Sequence, residues 1–304
     1  LLDLFVCKIL TVFFLPEFLS KLELSANKLV LLIEHVPVLV VVMAFFAVWI
    51  ISWLPIGLLS AIAINWRPNQ PLKPEQKLPL LIPLYLLAPC IVCLISSFTN
   101  TSISDYGLLN KFSTFIYLGL GFVLGVVGIL IMFACQLSWC WCALNYSKIR
   151  QLKIQQLLIT LLSILLVALF IGGVEELVFR GFLLTELQID YRLWVAVTVS
   201  SLIFALLHLV WEREETLPQL PGLWIMGMIL VLARFVDGGN LGLAWGLHSG
   251  WVWMIATIDT LGVIDYTGNV SEYVTGKYNK PLAGATGIAC LLLSGGILYL
   301  FNFF

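Results

Sequence analysis

Apolar runs of about 20 residues, each enough to cross roughly 30 Å of hydrocarbon, recur along this chain and are separated by short polar breaks. They are read near 36–64, 79–98, 115–146, 157–188, 193–210, 220–236, 241–258 and 281–304. Backbone polar groups cannot stay unpaired in lipid, and the runs lack the two-residue alternation of a barrel strand, so each is predicted to be a helix. With 61% hydrophobic and 11% charged residues over 304 positions, too little polar surface remains to coat a water-soluble globule. The expected fold is all-α, a polytopic transmembrane bundle of about eight membrane helices, integral to its membrane and multi-pass.

Two regions are expected. Residues 1–35 carry Glu17, Lys21, Glu23, Lys28 and Glu34 among apolar neighbours, a pattern that suits an N-terminal amphipathic helix lying at the membrane interface. Residues 36–304 form the bundle, because the widest breaks (65–77, 99–114 and 259–280) are too short for a soluble domain. A formal charge of −1 offers nothing for nucleic acid. The seven cysteines lie almost all inside apolar runs and read as small hydrophobes, the Cys90-x-x-Cys93 pair included.

Chemistry concentrates in three places. Charge inside an apolar helix is costly and marks a working site, and the run from residue 157 carries Glu175, Glu176 and Arg180. Glu176 and Arg180 stand four apart with the acid first, the favourable order for an ion pair along a helix. Glu175, about 100° around the helix, has Phe179 at the corresponding position and can take up and release a proton, as a general base or acid requires.

The next run returns after a tight turn near Ile189 to Tyr191 and brings His208 to a depth similar to that of Glu175, about 27 Å and about 22 Å from Asp190 along the two axes. Phe204, one turn earlier, is placed to pack on the His208 ring. His248 lies among Gly242, Gly246 and Gly250, which allow close helix packing and can bring its imidazole to the same level.

Glu-Glu-x-x-x-Arg, then Phe-x-x-x-His, then a third motif opened by His, in this order on successive membrane helices, resembles the type II CAAX prenyl endopeptidase family, also called CPBP or Abi proteins. The resemblance covers a core of about 157–258 and implies an intramembrane endopeptidase that cleaves a membrane-protein or lipidated-peptide substrate. It implies that Glu175 activates water, His208 helps to hold that water, Arg180 positions Glu176, and His248 stabilises the oxyanion. The family commonly has Asn or Asp four residues after the third-motif histidine, and this chain has Val252 there. Ser249 and Trp253 are the neighbours that can substitute if they point inward.

Two alternatives stay open at this level. The expected mechanism uses no cofactor, but His208, His248 and Glu175 also match a catalytic two-histidine, one-carboxylate zinc set. Val252 and the wealth of aromatic residues equally suit a catalytically weak relative that serves as a scaffold or assembly factor within a larger membrane-protein complex. The Lys and Arg residues between runs fall mostly on the side of Arg67, Lys148, Arg213 and Lys280, which the positive-inside rule makes cytoplasmic. That places the Ile189 turn outside, whereas the family resemblance implies a cavity reached from the cytosol.

Overall fold

A computed structural model describes residues 36–67, 70, 73–99, 101–109, 111–210 and 213–301; the expected interfacial helix at 1–35 lies outside them. The chain separates into two compact units, divided between Ile103 and Ser104.

The first unit is a helical hairpin of α1 (Val38–Ala63) and α2 (Pro74–Thr99). In lipid an indole N–H needs a partner, and carbonyls on the facing helix supply it: Trp49 Nε1 donates to Leu84 (2.7 Å) and Trp53 Nε1 to Leu80 (3.1 Å).

The second unit holds the remaining long helices. α3 spans Phe112–Ser138 and is followed by the short strand β1 (Cys142–Leu144). α4 (Ile154–Glu175) runs without a break into a π-helical segment, Glu176–Leu183, and then into α5 (Leu184–Asp190). α6 (Leu193–Leu207) returns beside it, α7 covers Leu220–Val236 and α8 covers Gly242–Leu261. Strand β2 (Ile264–Tyr266) pairs antiparallel with β1, and α9 (Ala285–Phe301) closes the described chain.

α8 is the central rod. Its packing on α3 is backbone against backbone, because glycines recur every fourth residue on one side and every fourth residue on the other. A Cβ on Gly242 would meet the Thr114 carbonyl at 2.6 Å and one on Gly250 the Phe122 carbonyl at 2.5 Å, with Gly246 against Leu118 between them. Gly125 on α3 faces the Leu247 carbonyl in the same way, at 2.7 Å. Small residues drive such association in lipid, where no hydrophobic effect separates helix from solvent. On its other side α8 lies on α4, where Gly172 and Gly173 leave room for Ser249 and Trp245.

The outer faces are as apolar as the core. Leu158, Leu162 and Leu166 form an exposed row on α4, which water would penalise and acyl chains accommodate. Among the described residues six helices are long and apolar enough to cross a membrane: Val38–Ala63, Gln76–Ser97, Phe112–Ser138, Ile154–Asp190, Leu193–Val210 and Arg213–Val236. The protein is therefore an integral, multi-pass membrane protein. Two runs expected as crossings fall outside this set: Ala285–Phe301 has 17 residues, and α8 is lowered in hydropathy by its glycines, His248, Ser249 and Asp259.

One predicted boundary is corrected. The run read as 115–146 ends at Ser138, because Cys140 turns the chain with φ of 55° and Cys142–Leu144 then pair with Ile264–Tyr266. An apolar segment this short satisfies its backbone equally well as a ribbon.

Candidate active site

The continuous helix expected over 157–188 contains the π-helical segment, and it begins at the second glutamate. π turns are frequent at functional sites, where widening the helix by about one residue per turn redirects side chains that an α-helix would send elsewhere. Here the widened turn follows Glu175, and both glutamates reach the same imidazole.

His248 sits between them. Its Nδ1 donates to Glu176 Oε1 at 2.7 Å, and its Nε2 lies 3.6 Å from Glu175 Oε2. Glu176 Oε1 accepts a second hydrogen bond, from Arg180 Nη1 at 3.0 Å, so the ion pair read from the four-residue spacing is present. Glu176, Arg180 and His248 are buried almost completely and Glu175 is 7% exposed. Because a carboxylate that already receives a guanidinium N–H is an acceptor, His248 carries its ring proton on Nδ1.

Phe204 organises the opposite wall. Its ring stands edge to face with His208 (centroids 4.7 Å apart) and with His248 (5.9 Å), and the Arg180 guanidinium carbon lies 4.2 Å from its centroid. α6 tightens at its end into a 3₁₀ turn, His208–Val210, in which His208 Nδ1 donates to the Phe204 carbonyl at 2.8 Å. A carbonyl only accepts, so Nε2 of the neutral His208 ring is left as an acceptor.

His208 and His248 line one cavity of about 320 Å³, together with Trp251, Val252, Met226 and Leu291. Gln219, Asp259 and Lys280 also line it. Lys280 Nζ bridges Glu215 (3.5 Å) and Asp259 (3.6 Å), tying the loop after α6 to the end of α8 and the start of the C-terminal region. The cavity therefore reaches the segments that carry Gln219, Asp259 and Lys280.

The structure thus brings Glu175, Glu176, Arg180 and His248 into one cluster, in which Glu176 accepts hydrogen bonds from Arg180 and His248 while Glu175 lies against His248 Nε2, and joins His208 to it through Phe204 and the cavity wall. Ser249 and Trp253 do not turn inward. Ser249 Oγ donates to the Ala168 carbonyl (3.1 Å) and Trp253 Nε1 to the Leu161 carbonyl (2.9 Å), so both hold α8 on α4. Val252 faces the cavity with a hydrocarbon surface. Among the described residues no group of three or more His, Cys, Asp or Glu side chains is gathered to hold a metal ion, and Glu175, His208 and His248 do not form such a set.

Three features escaped the sequence reading. Arg234, in the last turn of α7, is buried and donates four hydrogen bonds, an expense that an apolar helix signals as clearly as Glu175 does. Tyr106 donates to the buried Glu186 at 2.8 Å across 80 residues, a pairing without local signature. Trp251 lines the cavity with its indole N–H buried and without a hydrogen-bond partner.

No curated protein and no solved structure matches this chain. Residues 157–254 match the model of a protein family described as type II CAAX prenyl endopeptidase Rce1-like, the family that the ordered motifs of this core resemble.

Proposed function

We propose that this protein is an intramembrane endopeptidase that hydrolyses a peptide bond of a membrane-associated substrate with water activated by Glu175. The observation that carries the reading is His248 held between two glutamates at the wall of a cavity that His208 shares. In this scheme Glu175 removes a proton from water, and the Nε2 acceptor of His208 holds that water in line with the scissile carbonyl. Arg180 fixes Glu176, Glu176 fixes His248 through Nδ1, and the proton that Glu175 takes from water passes to His248 Nε2, which then donates to the negative charge developing on the carbonyl oxygen or returns that proton to the leaving amine. A fixed donor of this kind is worth roughly 3 kcal/mol of barrier. The largely apolar cavity lining suits aliphatic residues or a lipidated peptide, and Lys280 at its edge, on the side that the charge count makes cytoplasmic, suits substrates presented from the cytosol.

The test is hydrolysis of membrane-embedded peptides by purified protein. Wild type is expected to cleave and Glu175→Gln to be inactive; equal cleavage by the two removes Glu175 from the mechanism.

Val252 favours a second reading, a catalytically weak member that acts as a scaffold or assembly factor for other membrane proteins. It requires that Glu175→Ala and His208→Ala variants rescue a deletion phenotype completely, whereas the hydrolytic reading requires both to fail.

A further inference from the structure

Arg234 is 7% exposed, and its guanidinium is committed to polypeptide rather than to any carboxylate. Nε donates to the Gly239 carbonyl (3.0 Å) and Nη2 to the Asp105 carbonyl (3.2 Å). Nη1 donates to the Arg180 carbonyl and to Thr185 Oγ1, the latter at 3.1 Å. Those last two acceptors flank the point at which the π-helical segment Glu176–Leu183 reverts to α geometry. The positive charge also acts on Glu176 through space.

A π turn is a poorer hydrogen-bonding arrangement than the α turn that could replace it, so it persists where its surroundings hold it. Relaxation to an α-helix would rotate the residues before the segment against those after it by as much as about 100°. His248 would then lose at least one of its two glutamates. The hold on this turn comes from Arg234, and from Tyr106, whose carbonyl would lie 2.9 Å from a Cβ at Gly181. Guanidinium is suited to the task because its fork reaches acceptors on three chain segments at once, whereas an ammonium is a single point.

We propose that Arg234 is a positioning residue for the hydrolytic site: by clamping the Arg180 carbonyl and Thr185 it keeps the π turn open and thereby aims Glu175 and Glu176 at His248. The role rests on the hydrolytic reading for its consequence, but the clamp itself has a readout that does not.

Arg234→Lys and Arg234→Gln variants of the full chain, purified in detergent, separate the possibilities. Amide exchange over 176–185 is expected to quicken about tenfold or more while exchange over 242–258 stays unchanged. In the active enzyme kcat is expected to fall about 100-fold, with KM within about twofold and Lys failing to rescue. Exchange unchanged over 176–185 overturns the proposal, as does exchange that rises equally in every helix, which would make Arg234 a general folding residue. Local quickening with unaltered kcat overturns it too. If wild type and Glu175→Gln hydrolyse alike, the hydrolytic reading falls by itself, and the clamp is then decided by the exchange pattern alone.

Discussion

A single oxygen, Glu176 Oε1, accepts from both Arg180 and His248, and this sharing divides the two adjacent glutamates into different jobs. Breaking a buried ion pair by removing one charge typically costs about 3–5 kcal/mol, because the other charge is left in low dielectric. Glu176→Gln should therefore lower the thermal midpoint in detergent markedly. Glu175→Gln should leave the midpoint nearly unchanged while hydrolysis falls at least about 1,000-fold, since its loss touches the reaction more than the fold. If both substitutions destabilise alike, the division is wrong. At Val252 the family pattern supplies a donor that valine lacks, and the side chain faces the cavity. Val252→Asn should raise kcat, by up to about 100-fold, measured on the same peptide under saturating conditions. An unchanged or lower rate would mean that the oxyanion sits elsewhere.

Among the elements, the α3–α8 seam and the π-helical segment matter most to the site. Gly246→Val would drive a side chain into the Leu118 carbonyl, and overpacking of this kind costs about 1–3 kcal/mol or more. The expected result is a lower thermal midpoint together with lost hydrolysis, since His248 rides on the displaced helix; retention of both would show that the seam can open harmlessly. Just before α8, Asp237 accepts a hydrogen bond from the Leu243 N–H at 3.0 Å, yet burial pushes its carboxyl above the ordinary value. The fold therefore favours the neutral acid: this contribution is fully present below the ordinary carboxylate pKa and declines as pH rises through the raised one. Asp237→Asn should flatten that decline in unfolding measurements from acidic to neutral pH, and a decline that persists in the variant would originate elsewhere.

For the molecule as a whole, the loops at 139–153, 208–219 and 262–284 of the second unit share one face. β1 pairs with β2 across the first and third of them, and Lys280 joins the third to the second through Glu215. Epitopes inserted near Lys148 and Lys277 should be accessible from the same side of sealed vesicles, and one at Tyr191 from the other; labelling of all three from one side would refute this arrangement. The helices themselves were legible in the sequence because run length and the need to pair backbone groups leave little choice in lipid. Glu176–Arg180 and Phe204–His208 were legible too, being contacts one turn apart. The π segment was not, since an extra residue per turn changes no composition and hardly alters the apolar pattern. Nor was the end of the 115–146 run, where Trp-Cys-Trp-Cys-Ala-Leu is as fit for a ribbon as for a helix. The pairing of His248 with both glutamates depends on how α4 and α8 cross, a quantity fixed by Gly172, Gly173 and the indole of Trp245 rather than by motif spacing.

The glycine seam also bears on how such a protein can diversify. Where two rods meet main chain to main chain, there is no side chain left to vary, so the seam face of α8 offers inheritance almost nothing to adjust. Variation is left to the side chains that line the hollow, Val252, Met226, Leu282, Cys290 and Leu291 among them, whose substitution reshapes it without opening the seam.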